Sequence, residues 1–215
     1  METILFLAHT ESDGSLPRAA LEALGAAKAL ASDLPGTRLA VGLIGAGVQP
    51  AAKRIAGCGA EKLLAVTGDE FAPARYASDT VAVEALCRAA GASLIVAAGT
   101  SRLSRVMAGV AQRLAGRIDT HATEMSVKEG VISVSRWYYR QRMEAGIQRT
   151  QRPWVVLVDP GCHAPWEGPS AEAVLQLVSP NLPEECRRTT LQTHSSSTMP
   201  GCSTHLHSKA RAGLS

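Results

Sequence analysis

Along the first half of the chain, short β-branched apolar runs alternate with longer stretches whose apolar residues recur at helical spacing. This alternation predicts βαβ units around a parallel sheet with helices on its faces. ILFLA (Ile4 to Ala8) reads as the first strand. PRAALEALGAAKALASDL follows with apolar residues at helical intervals and with Pro17 in the first turn, where its missing N–H is no loss. Gly36 closes that unit. RLAVGLIG (Arg38 to Gly45) predicts a second strand, QPAAKRIAGCG a short helix ending at glycine, and KLLAV (Lys62 to Val66) a third strand. A helix is expected from about Ser78 to Ala90, with Ser78 or Asp79 as its cap. SLIVAAG (Ser93 to Gly99) is apolar almost throughout, which fits a strand buried on both faces.

Past GTSRLSRVMAGVAQRLAG, a loop and helix ending at Gly116, the rhythm changes. ATEMSVKEGVISVSRWYY alternates on both sides of Glu129-Gly130 and reads as a hairpin added beside the parallel sheet. WVVLVDPG (Trp154 to Gly161) returns to the sheet as a buried strand. From about Ser179 the apolar periodicity fades into a serine-, threonine- and histidine-rich segment, so residues 180–215 are expected to form a disordered tail behind a domain over 1–179. No internal repeat is visible.

Composition narrows the class. The 215 residues are 46% hydrophobic, which suits a globular domain rather than a disordered chain. Aromatic residues make up only 4%, so the alanine-rich body predicts close helix-to-sheet packing in place of a core built on large rings. The formal charge of +3 is scattered and forms no basic stripe, which argues against nucleic acid as a partner. Five cysteines without CxxC spacing, and no leader-like opening, point to a reduced, cytoplasmic protein. No apolar run reaches the roughly 18 to 20 residues that a membrane span needs, so membrane insertion is not expected.

Four segments carry candidate chemistry. Gly45-Ala46-Gly47 opens a helix after a strand, but Pro50 occupies the third position of a dinucleotide fingerprint and no acidic residue closes the next strand, so the glycines read as turn geometry. In GTSRLSR, Gly99, Thr100, Ser101 and Arg102 follow the most apolar strand and open a helix. They can offer N–H groups and hydroxyls to an anion, or Thr100 or Ser101 can simply cap the helix. RWYYRQRMEAG places three aromatic residues among three arginines, which could stack on or pair with a nucleotide; Trp137 and Tyr139 are rather expected to pack on one side of a strand with solvated arginines, or to be buried against a partner chain. CSTHLHS (Cys202 to Ser208) lacks four ordered ligands and reads as tail rather than metal site. His9 and His121 have no readable catalytic partner, and no nucleophile, acid/base pair or metal constellation supports an enzyme.

The order of these pieces resembles the N-terminal domain of the electron transfer flavoprotein α subunit, a family that includes FixB-like proteins. The resemblance runs from ILFLAHTESDGSLPRAALEALGAAKALA through VGLIGAGVQPAAKRIAGCGAEKLLAV and LIVAAGTSRLSRVMAGVAQRLAGRIDTHATEM to WVVLVDPG. It implies a three-layer α/β/α fold of the adenine-nucleotide α-hydrolase-like group, acting as scaffold and subunit contact. It also implies a heterodimer with a β subunit that carries electrons through one FAD, from dehydrogenases toward a quinone oxidoreductase or another acceptor. In that family FAD is held mainly by a second, C-terminal domain with QVGQTG-type and SGAIQH-type segments. Neither segment occurs in this sequence, so FAD is expected in the assembled complex and not on this chain alone, and no FAD contact carries across. Asp159 stands where the family commonly has arginine before Pro-Gly, and RWYYRQRMEAG replaces a shorter proline-tyrosine-glycine pattern. Two alternatives remain: a stand-alone module similar to universal stress proteins, holding AMP or ATP near His9 and Gly99, or a truncated product without independent function.

Overall fold

The computed structural model describes residues 2–187. Nine strands form one sheet: β1 (Thr3–His9), β2 (Arg38–Gly45), β3 (Lys62–Thr67), β4 (Leu94–Ala98), β5 (Arg117–Lys128), β6 (Val131–Tyr138), β7 (Met143–Ile147), β8 (Trp154–Val158) and β9 (Gln176–Leu177). Their order across the sheet is β7-β6-β5-β8-β4-β1-β2-β3-β9. All neighbours are parallel except β5–β6 and β6–β7. Helices α1 (Arg18–Asp33), α2 (Gln49–Ile55), α3 (Tyr76–Ala90) and α4 (Ser101–Arg113) complete the layers.

Strand alternation builds two cores. In β1, Ile4, Phe6 and Ala8 face the α1 side, while Leu5 and Leu7 face α3 and α4. β4 and β8 are buried at every position, as their continuous apolar runs predict. Small residues set the spacing: Ala20, Ala23, Ala26 and Ala27 form the buried stripe of α1, so the helix can lie close on the sheet. The three-layer α/β/α architecture with an added hairpin is thus the one the sequence predicts.

Three local details differ from expectation. α3 begins at Tyr76, two residues before Ser78, and no side chain caps it. Ser78 and Asp79 therefore lie inside the first turn and are buried. The stretch after Gly116 is more than a hairpin arm: Arg117 to Asp119 pair in parallel with β8, and only from Ala122 does the same strand pair with β6. The turn at Glu129-Gly130 has positive φ at both residues (53° and 77°), the geometry that suits a two-residue hairpin. The RWYY segment packs only in part within this chain, since Trp137 and Tyr138 are each 38% exposed and Tyr139 is 75% exposed. The reason is that β6 and the added strand β7 project beyond the helices. Arg136, expected in solvent, is instead drawn in toward buried Asp119.

After β8 the chain runs as a strap across the outer side of α1 and α2. The Trp166 N–H donates to the Leu21 carbonyl (2.9 Å), the Ala171 N–H to that of Lys53 (3.0 Å), and Arg54 Nη1 to that of Gly168 (2.7 Å). Gly25 exists in α1 because the Ala164 carbonyl passes where a Cβ would stand. The strap then adds β9 beside β3 and ends in a short 3-10 turn with Cys186 buried. Residues 180–187 of the segment expected to be tail therefore belong to the described structure, and 188–215 lie outside it.

Candidate functional site: the cleft at the switch point

The sheet grows from β1 to β2 and β3 on one side, and β4 is then added on the other side of β1. The connections that leave β1 and β4 therefore part above the strand ends, where open α/β sheets bind ligands. A cavity of about 410 Å³ opens there. His9, Thr10 and Ser12 line it from the β1 end, and Thr100, Ser101 and Arg102 from the turn into α4. Three of the four residues singled out in GTSRLSR thus meet His9 at the end of β1 and Thr10 just after it. Gly99 sits beside them, its N–H donating to the Val158 carbonyl (2.8 Å).

Each side chain is held differently. Thr100 is the N-cap of α4, its Oγ1 accepting from the Leu103 N–H at 3.3 Å. The N–H groups of Ser101 and Arg102 have no intrahelical acceptor at this helix start, which leaves the helix end suited to an anion. Arg102 turns inward. Its fork donates to Asp79 Oδ2 (Nε, 2.8 Å) and Oδ1 (Nη2, 2.7 Å), and to the carbonyls of Phe71, Ala72 and Pro73. Most of its donors are thus engaged within the protein, tying the loop before α3 to α4.

His9 places Nδ1 2.8 Å from the Thr10 carbonyl and Nε2 2.9 Å from the Phe71 carbonyl. Burial lowers its pKa and the nearby Arg102 charge adds to that, outweighing the two carbonyls, which favour the protonated ring. A neutral ring can donate to only one of the two.

The glycine turn after β2 borders the same cavity through Ala46. Thr10 Oγ1 donates to the Gly47 carbonyl (3.0 Å), and a Cβ on Gly45 would fall on that same hydroxyl. Thr10 fills the space beside Gly45 while that beside Gly47 is open, and with Pro50 in the third position the turn lacks the three-glycine pattern of a dinucleotide loop.

Two further clusters escape sequence reading because their members are far apart in the chain. His121, at positive φ (58°) where β5 changes register, lies 3.1 Å from Asp159 Oδ1. Asp119 is buried at the β5–β8 junction and accepts from Arg149 Nη2 (2.8 Å) and Trp154 Nε1 (2.8 Å). Burial alone would raise its pKa, but these hydrogen bonds and the arginine charges hold it below the ordinary value. Neither cluster contains a nucleophile. Among the described residues no group of three or more His, Cys, Asp or Glu is placed to hold a metal, and Cys202, His205 and His207 lie outside them. No described helix is long and apolar enough to cross a membrane.

A mostly parallel sheet with helices on both faces and a cleft at its switch point defines the class as a three-layer α/β/α fold. Within it, the model of the electron transfer flavoprotein domain matches residues 4–183, and the chain belongs to that family. A search of curated proteins returns no match. Proteins of this family are electron carriers associated with flavin, and they typically form heterodimers.

Proposed function

We propose that the chain is an α-subunit-like component of an electron transfer flavoprotein, the scaffold and partner-binding half of a heterodimer with a β-subunit-like protein. The supporting observation is the family match over 4–183. In this reading the complex takes electrons from a dehydrogenase and passes them to a quinone oxidoreductase or similar acceptor. FAD is held mainly outside residues 2–187, since the one glycine turn that resembles a dinucleotide loop has Pro50 in place of the third glycine. Cytoplasmic residence accords with Cys58, Cys87, Cys162 and Cys186, none of which forms a disulfide. Co-expression with an electron transfer flavoprotein β subunit tests the proposal: a co-purifying heterodimer supports it, and failure of the two chains to associate refutes it.

The cleft favours a second reading, an adenine mononucleotide such as AMP at the start of α4. Its volume of about 410 Å³ lies in the lower part of the range for ligand pockets, roughly 300–1,000 Å³, and suits a mononucleotide better than FAD. Calorimetry with AMP should give roughly micromolar affinity, lost in Ser101→Asp, which places a carboxylate where the phosphate would sit. Unchanged heats in both proteins would eliminate this reading.

A further inference from the structure

α1 covers β5 on one face of the sheet and α4 on the other, and β6 and β7 extend largely past both helices. β7 ends the sheet, and among the described residues no strand pairs with its outer edge. Exposed edges are normally blunted with charge, proline or a bulge. Within β7 the only charged residue is Glu144, and there is no proline.

The apolar surface of the molecule gathers at the same place. Of eight large hydrophobic residues that are exposed among the described residues, five lie on this ribbon: Val131, Trp137, Tyr138, Tyr139 and Met143. Register explains the pattern. Tyr138 stands opposite Met143, Arg136 opposite Ala145 and Val134 opposite Ile147, so one face runs from the buried core at Val134 out to exposed Tyr138 and Met143. At the tip, Tyr139, Arg140 and Gln141 all have positive φ (46°, 56° and 63°), a region that L residues avoid. Backbone of this kind tends to cluster at contact sites.

Charge decides between occupants. Arg136 to Arg152 contains five arginines and one acid. Arg136 and Arg149 face Asp119, and Arg152 faces Glu2, while Arg140 and Arg142 are exposed at the tip. Antiparallel pairing of β7 with a second copy would set each Arg140–Arg142 tip beside the other's Ile147–Arg149 end, which carries no acidic residue. A strand with acidic residues near the tip and apolar residues along the stripe would be attracted.

We propose that β7 is a docking edge for an extended, acidic and apolar strand of the β-subunit-like partner, which joins the sheet beside Met143–Ile147. This rests on the heterodimer reading above and assigns its contact surface. Strand addition of this kind takes affinity from main-chain hydrogen bonds and specificity from side chains of alternate residues.

The test uses the full chain co-expressed with an electron transfer flavoprotein β subunit, with affinity measured by calorimetry and amide exchange compared between free and bound chain. Tyr138→Ala/Met143→Ala should weaken the complex at least about 30-fold, as loss of central interface anchors does. Arg140→Glu/Arg142→Glu should weaken the complex about tenfold at low salt, with less difference at high salt. Amides of 143–147 should be protected in the complex, and both variants should melt with the parent because the altered side chains are exposed. A complex that forms with unchanged affinity in both variants, and without protection of 143–147, overturns the docking edge and leaves the heterodimer intact. Absence of any complex with the parent chain overturns the heterodimer reading and the docking edge with it.

Discussion

The Arg102–Asp79 pair separates a structural role for the GTSRLSR loop from a ligand-binding one. The Asp79 side chain is 3% exposed and that of Arg102 16%, so this is a buried, two-pronged ion pair rather than a surface contact. Replacing Arg102 with methionine keeps the apolar stem but leaves a carboxylate buried without its cation, and strips donors from the carbonyls of Phe71, Ala72 and Pro73. Removing one partner of such a pair costs about 3–5 kcal/mol. For a domain of this size each kcal/mol lowers the melting midpoint by about 2–4 °C, so Arg102→Met should lose roughly 6–20 °C. Asp79→Ala should cost less, about 1.5–3 kcal/mol, because Arg102 keeps its three carbonyls. The double variant should fall short of the sum by about 2 kcal/mol, within the usual 0.5–3 kcal/mol for coupled neighbours. Urea unfolding followed by circular dichroism reads all three. If each variant loses less than about 1 kcal/mol, or the losses simply add, the pair does not hold the loop and the reasoning fails.

Other consequences can be checked with the same assays. Thr100→Ala should cost about 1 kcal/mol through loss of the α4 cap, whereas Thr100→Ser should be neutral, and equal stability of the two would contradict the cap. Gly25→Ala should destabilise by about 1–3 kcal/mol, because the new methyl meets the Ala164 carbonyl, and limited proteolysis should begin within 160–175. A gain in stability from helix propensity, with no new cleavage, would show that the strap does not pack there. pH acts in two stages. His9 and His163 have pKa values lowered from 6.5, chiefly by burial, so the unfolded chain binds their protons first and stability should decline as pH falls below about 6.5. The lowered carboxyls of Glu2, Glu22, Glu84 and Asp119, with ordinary values of 4.5 or 3.8, should add a steeper loss below about pH 4.5. A urea midpoint that stays flat from pH 7 to 5 would contradict the first stage.

The layered fold is legible in the sequence wherever burial imposes a period. Arg38–Gly45 emerges as a strand at the bounds expected, because every position after Arg38 is buried and apolar or glycine. The start of α3 is not legible, since Ser78 and Asp79 look like caps until Asp79 is found paired with a residue 23 positions away. β5 is misread in the same way: its first residues belong to the parallel sheet only because β8, later in the chain, lies beside them. Short β7 and β9 have no strong period of their own and exist through their neighbours. At the cleft, Thr100, Ser101 and Arg102 can be placed from the strand-to-helix rhythm, whereas their meeting with His9 and Thr10 follows from the switch point, a property of strand order. The His121–Asp159 pair spans 38 positions and has no local signal.

The account centres on a partner-dependent electron-carrier component, and the visible absorbance spectrum of the purified chain, alone and after co-expression with a β subunit, tests it most directly. The expected result is a chain that is colourless alone and that co-purifies with the β subunit as a heterodimer. Stoichiometric FAD on the isolated 215-residue chain, or a β subunit that passes through purification without binding it, would contradict the account.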